Sequence, residues 1–467
     1  MLPNIEEFLE KGCNERTYRN KDGFLKYGIA IHSPTLINRG SCTSSTVTDC
    51  NYDSIQSAYQ EYKTARNYSD LIRRRSRSLK TLLGMQKRGG DMIFYGPSGT
   101  DLSYYPGMFI KVLNPGQPIL NVITSADEVG GGTSIAAEGI YHGAYNQFDE
   151  EVPKGNKVSG GTKIKVHGLD LRSETGTLVS PIEDIGTIVT NYVDNHAIVV
   201  NLTHCSKSGI ADYLEVMDAP WADKVLWNVD MCQFRYEENI IKDLLDRNAT
   251  IMLTGSKFFQ SPPFCGAMLV PAKMYEKLVD ADWSKVRMYK SVFSIYDIPA
   301  ELRVKVDFNR EFNPALHARW QCAIDEMFRF KKLEKAAAIS KVDLWHKKIV
   351  DIINESEEFE LMPGLDRSNK TIISFRVKMN GKYLNLEELK KFHYDFCTKD
   401  YTEEYGQKHV FIGQPVKFGK NEGFIRLAIG SKNIREFVAD DETIFENDLM
   451  VIHMLKKELN LAFAYVD

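Results

Sequence analysis

The sequence predicts an α/β protein: a mainly parallel seven-stranded sheet sandwiched by helices, followed by a smaller α+β C-terminal domain. Three observations carry this. From residue 91 onward, the apolar runs "DMIFYG", "PILNVITS", "TKIKVHG", "HAIVVNLTH", "DKVLWNVD", "ATIMLTG" and "CGAMLVP" alternate with helix-length segments such as 132–141, 181–193 and 237–247. Strands alternating with helices over such a length build a mostly parallel sheet covered on both faces. A chain of 467 residues also exceeds the roughly 250–300 residues at which one core stops growing, so two domains are expected. Finally, after a long helical stretch from about 315 to 352, the runs "TIISFRVK", "GQPVKF" and "FIRLAIG" interleave with helices near 386–396 and 442–459, the pattern of a small mixed domain. The boundaries fall at 1–65 for an N-terminal segment, 66–325 for the large domain and 326–467 for the small one.

The other segments follow. Residues 52–85 read as one helix, because apolar residues recur at helical spacing and no proline interrupts them. Its run of Arg73, Arg74, Arg75 and Arg77 could hold an anion, although such a run usually forms a solvated helix face. The loop 143–160, rich in glycine, asparagine and acidic residues, reads as a surface insertion or a mobile flap. With 59 basic and 63 acidic residues, the formal charge of −4 gives no reason to expect nucleic acid or an anionic membrane as partner. No apolar run is long enough to span a bilayer, and charges stand where a signal peptide needs an apolar stretch, so the expected location is cytoplasmic. The eight cysteines are scattered, with no CxxC, HExxH or zinc-finger spacing, and are expected to be reduced thiols with no metal site.

In parallel sheets ligands bind beyond the carboxyl ends of the strands, so the turns there are where chemistry is expected. After "DMIFYG" comes Ser98-Gly99-Thr100, whose small residues, free N–H groups and hydroxyls suit a phosphate, though the same residues also cap helices without a ligand. It is neither a Walker loop nor a GxSxG elbow. Ser206 and Gly209 follow "HAIVVNLTH", and "DKVLWNV" leads into Asp230 and then Gln233. A carboxylate at the end of an apolar strand is costly to bury unless it meets a cation or protonated ring nitrogen; the alternative is a helix cap. Lys257 follows 27 residues after Asp230, in "IMLTGSKFFQSPPFCGAMLV". A lysine held among apolar strands loses hydration and becomes a nucleophile able to form a Schiff base. Phosphate cradle, carboxylate and lysine on successive strand ends point to pyridoxal 5′-phosphate.

This pattern resembles the fold-type I pyridoxal-phosphate enzymes, in particular the class V aminotransferase and cysteine-desulfurase branch. The matching stretches are "VDMCQ", with Asp230 and Gln233, and "TGSKFFQSPPFCGAML", with Lys257. The resemblance spans roughly 90–330 and, less sharply, the C-terminal domain. It implies that Lys257 holds the cofactor as a Schiff base and moves the proton at the substrate α-carbon, and that Asp230 pairs with the ring nitrogen. Gln233 would sit beside the ring hydroxyl, Ser206 would touch the ring, and Ser98, Gly99, Thr100, Thr254 and Ser256 would hold the phosphate. Arg426 in "EGFIRLAIG" would clamp the substrate carboxylate, and Arg319, with Asn313, would reach a partner subunit's site or serve plain helix capping. The implied activity is an aminotransferase acting on a small amino acid, or alternatively a lyase, decarboxylase or side-chain substitution enzyme. A homodimer is implied, with the site at its interface and the N-terminal segment packed on the small domain or the partner.

The sequence departs from the family in three places. Ser256 stands where histidine usually precedes the lysine, "TSADEVGGG" offers no ring to stack on the cofactor, and Cys397 in "YDFCTKD" falls in a helix rather than a mobile loop, which speaks against a desulfurase. A nucleotide-binding protein using "PSGTD" would fit the same fold but would leave Lys257 and Asp230 unexplained.

Overall fold

Apolar, β-branched runs in the sequence become strands of two sheets in the computed structural model, which describes residues 4–463 apart from 34, 44, 48, 159–162, 236 and 237. In chain order the strands are β1 (Leu36–Arg39), β2 (Met92–Gly96), β3 (Ile119–Thr124), β4 (Ile164–Leu169), β5 (Ala197–Thr203), β6 (Leu226–Met231), β7 (Thr250–Thr254), β8 (Gly266–Val270), β9 (Phe359–Leu361), β10 (Ile372–Met379), β11 (Lys382–Tyr383), β12 (His409–Phe418) and β13 (Glu422–Ala428). The large sheet has the order β2-β8-β7-β6-β5-β3-β4. Its seven strands coincide with the seven apolar runs. All neighbours are parallel except β8, which runs antiparallel to β2 and β7. Strands β3, β5, β7 and β8 are buried throughout, which is why they read as continuous apolar runs rather than as alternating ones. From β3 the chain passes to β4 on one side and then crosses back to β5 on the other, so a crevice opens beyond the carboxyl ends of β3 and β5.

The second sheet has the order β1-β12-β13-β10-β11, with β9 beside β10. Strand β1 lies parallel to β12, from Leu36 opposite His409 to Arg39 opposite Ile412, so the N-terminal segment supplies an edge strand of the small domain. One apolar cluster runs from Val200 and Leu253 in the large sheet through Phe258 and Trp320 to Phe375 and Val410 in the small one. No helix among the described residues is long and apolar enough to cross a membrane.

Several expectations are corrected. The helix read over 52–85 is two, Asp49–Thr64 and Tyr68–Leu82, because the Asn67 side chain accepts the Ser69 N–H and starts a new helix. The stretch 315–352 is also two helices, Pro314–Phe330 and Lys335–Asn354, and neither glycine nor proline marks the break at 331–334. Asn313 caps the first of these, with Pro314 at its first position. In the arginine run, Arg75 is buried and donates to Glu61 and to the His317 carbonyl, while Arg73 and Arg74 pair with Asp70 and Glu61. Of the loop 143–160, residues 159 and 160 lie outside the described residues; the rest is anchored by Asn146 to the Ser291 carbonyl and by Gln147 to Asp297 and Asn313.

A buried ion pair ties β1 to the small domain. Asp448 accepts from Arg39 Nε at 2.5 Å and Nη2 at 3.0 Å, and from Trp345 Nε1 at 3.0 Å. Asp448→Ala would strand a buried guanidinium at a cost of about 3–5 kcal/mol. Guanidinium unfolding of this variant should therefore begin at markedly lower denaturant than in the wild type.

Candidate active site

The residues singled out at the ends of the large-sheet strands come together. A cavity of about 400 Å³ lies beyond β5, β6 and β7, and Ser98, Gly99, Thr100, Ser206 and Asp230 line it. Gln233, Thr254, Ser256 and Lys257 complete that part of its wall. Strand β7 ends at Thr254, and the turn Gly255-Ser256-Lys257 follows. A Cβ on Gly255 would lie 2.5 Å from the Ala323 Cβ, so only glycine lets this turn press against the helix Pro314–Phe330. Thr254 and Ser256 are thereby buried, and Lys257 alone of the three keeps partial exposure.

Asp230 sits on the adjacent strand, with its neighbour Met231 paired to Leu253 of β7. Its carboxylate accepts the Cys232 N–H at 2.9 Å, and no side-chain cation pairs with it among the described residues. Gly99 permits close approach from the opposite wall, since a Cβ there would stand 2.6 Å from the Cys232 Sγ and 3.1 Å from the Thr254 Cγ2.

Several lining groups spend their protons on the protein itself. Thr254 donates to the Cys232 carbonyl at 2.7 Å, Ser98 to Asp101 at 2.5 Å, and Ser206 to Glu128 at 2.6 Å. Gln233 donates to the Cys42 carbonyl at 2.7 Å. The hydroxyls of Thr100 and Ser256 donate to no group among the described residues, which leaves them for a ligand. After Ser98 the chain makes a single helical turn, Gly99–Leu102, and resumes as a second helix at Tyr104. One turn carries little macrodipole, so an anion here depends on side chains.

Two expected substrate residues stand elsewhere. Arg426 is fully buried and does not line the cavity: it donates to the carbonyls of Lys207 at 3.1 Å and Gln414 at 2.9 Å, and to the Thr43 hydroxyl at 3.1 Å. Those three acceptor residues do line the cavity, so Arg426 braces its wall from behind. Arg319 is likewise buried, and it donates to the Leu9 and Lys11 carbonyls at 2.5 and 2.7 Å, away from the cavity.

Sequence reasoning missed other lining residues. Arg16, Tyr27 and Thr43 come from the N-terminal segment, Glu128 and His142 from beyond β3, and Phe264 from beyond the lysine turn. Tyr27, His142 and Phe264 bring rings to a cavity whose post-β3 turn has none. Lys207 directly follows Ser206 and could have been found as a second lysine at a strand end. Burial, then the nearby Arg426 and Lys257, push its amine down to about 8, with Glu128 acting in the opposite sense. Glu128 is itself buried, yet Arg172 at 2.8 Å and the Ser206 and Ser208 hydroxyls hold its carboxyl below the usual range. For Asp101, burial works upward but is outweighed by His142 at 3.0 Å, Arg16 and Ser98. Among the described residues, no cluster of three or more histidine, cysteine or acidic side chains could hold a metal.

No protein-family model matches the sequence, and no curated protein matches it. Solved structures match in fold. The cysteine desulfurase of Escherichia coli is 13% identical with a TM-score of 0.54, over 88% of this chain and 94% of that one. The alanine–glyoxylate aminotransferase of a Nostoc species is 12% identical with a TM-score of 0.54, over 95% and 99%. The phosphoserine aminotransferase of Cytophaga hutchinsonii is 14% identical with a TM-score of 0.52, over 87% and 97%. The chain thus shares the fold of these solved aminotransferase and cysteine desulfurase structures, a mostly parallel seven-stranded sheet with a second sheet beside it.

Lys207 gives up its proton near pH 8, whereas an ordinary lysine does so near about 10.4. Acetylation of intact protein followed by peptide mapping should show Lys207 modification rising with a midpoint near pH 8, ahead of the surface lysines. Because the unfolded chain holds this proton over the window from pH 8 to about 10.4, the contribution of Lys207 to stability grows with pH there.

Proposed function

We propose that the chain is a pyridoxal-phosphate-dependent enzyme acting on an amino acid, aminotransferase-like in its reaction. One observation carries the reading: Lys257 and Asp230, at the ends of adjacent parallel strands, line the same cavity, and no cation among the described residues pairs with the Asp230 carboxylate. A protonated pyridine nitrogen is the partner such a carboxylate lacks, and a partly exposed amine beside it suits an aldehyde. Thr100 and Ser256, both in the cavity wall, keep hydroxyls for a phosphate. The donor set therefore fits the cofactor.

When bound, pyridoxal phosphate supplies an electron sink that acidifies the bonds at an amino acid's α-carbon. The chain's own residues do the rest. Asp230 would keep the ring nitrogen protonated, and Lys257 would hold the cofactor and serve the proton at the substrate α-carbon. Lys207 is the cation that faces the cavity on the side of Arg426, and it suits a substrate carboxylate. Desulfurase chemistry gains no support, because Cys397 is buried in the helix Leu386–Thr398 and burial pushes its thiol up to about 12. The same reading carries a homodimer, as an expectation for solution.

Titrating folded protein with pyridoxal phosphate should produce a visible absorption band that a suitable amino donor bleaches. Lys257→Ala should abolish the band and lower turnover by about 10²–10⁴-fold or more while leaving the far-UV circular dichroism unchanged. Folded wild-type protein that produces no band would end this reading.

A further inference from the structure

We infer that Arg16, from the N-terminal segment, is the fixed positive charge that meets the cofactor's phosphate; the assignment rests on the pyridoxal-phosphate reading above. A phosphate monoester carries about −1.5 to −2 charges at neutral pH. The one-turn helix after Ser98 contributes little dipole against that charge, so a side-chain cation is required. Five are available in the cavity wall: Arg16, Lys26, Lys154, Lys207 and Lys257. Lys257 is committed to the aldehyde, Lys207 stands on the Arg426 side, and Lys26 and Lys154 are exposed at the mouth. Among the described residues, Arg16 alone of these cations reaches the hydroxyl turn.

Its geometry is that of a held group with donors to spare. Nη2 donates to the Ser98 hydroxyl at 2.9 Å, and Nη1 approaches the Thr100 hydroxyl at 3.5 Å. Nε donates to the Asn14 side chain at 2.8 Å, which fixes the plane of the guanidinium. The guanidinium carbon lies 4.6 Å from the centre of the Phe264 ring, just beyond the lysine turn. Five N–H groups are available, and the long Nη1 contact leaves that edge poorly occupied. The nearest carboxylate, Asp101, is 3.8 Å from Nη2 and is already engaged by His142 at 3.0 Å and Ser98 at 2.5 Å. The positive charge is therefore only partly answered within the chain, at the edge of a cavity that expects an anion.

The delivery of Arg16 also gives a purpose to residues that do not line the cavity. Arg319 binds the Leu9 and Lys11 carbonyls, and Asn313 donates to the Gly12 carbonyl at 2.9 Å, so the helix Pro314–Phe330 tethers the segment just before Arg16. On the other side, Glu15 accepts the Ala144 N–H at 3.1 Å and the Tyr145 N–H at 3.3 Å. Arg16 is thus pinned between two tethers.

The test compares pyridoxal phosphate with pyridoxal, which lacks the phosphate, by absorbance titration of wild type, Arg16→Ala and Arg16→Lys. Thermal unfolding checks that each variant is folded, and the lysine variant preserves the charge should the alanine variant unfold. Loss of a charge-assisted contact should weaken pyridoxal phosphate by about tenfold to a hundredfold in Arg16→Ala. The lysine variant should lie between it and wild type, and pyridoxal affinity should stay within about twofold of wild type in both, since no phosphate contact is lost. If wild type binds pyridoxal phosphate and the variants leave the ratio of the two affinities unchanged, Arg16 does not serve the phosphate, while the function reading stands. Folded wild type that binds neither compound overturns both.

Discussion

The site depends on one constraint: a carboxylate and a lysine must be brought to the same edge of a sheet by the parallel pairing of β6 and β7. That pairing sets Met231 against Leu253, so Asp230 and the turn after Thr254 leave the core at the same level. Strand interiors that are apolar on both faces can only be covered by helices, and the covering helices leave the carboxyl edge as the place where polar groups meet space. Everything else at the site serves this pair. Gly255 lets the lysine turn lie against the helix behind it, Gly99 lets the opposite wall approach Cys232, and the Glu128 network fixes the floor beyond β5.

A second dependence links the site to the ends of the chain. The N-terminal segment contributes β1 to the small-domain sheet and Arg16, Tyr27 and Thr43 to the cavity. Arg426, on β13, then braces Thr43 and Lys207, which lie on different parts of the wall. The large sheet provides the reactive pair, and the small domain and the N-terminal segment close the space around it. Binding at this cavity is therefore coupled to the packing of all three parts.

The large domain was legible because four of its seven strands, β3, β5, β7 and β8, are buried throughout and so read as continuous apolar runs. Lys257 and Asp230 were legible because each is a costly group at the end of such a run. What was not legible came from contacts distant in sequence. Strand β1 is four residues, "LINR", and becomes a strand only by pairing with β12, more than 370 residues away. Arg16 lies outside the alternating region, so nothing local ties it to a strand end. Arg426 was readable as a strand arginine, but that its donors go to backbone carbonyls is decided by the neighbouring strand and loop. The helix break at Asn67 rests on a capping residue with no glycine or proline beside it, and the break at 331–334 has no local signal at all.

Four lysines line the cavity; Lys26 and Lys154 are exposed, and of the two that are partly buried, Lys257 and not Lys207 is the one assigned to the aldehyde. Borohydride reduction of the protein loaded with pyridoxal phosphate, followed by peptide mass mapping, separates them directly. One stable phosphopyridoxyl adduct is expected, on the peptide containing Lys257. An adduct confined to Lys207, or none on either residue, would contradict that assignment.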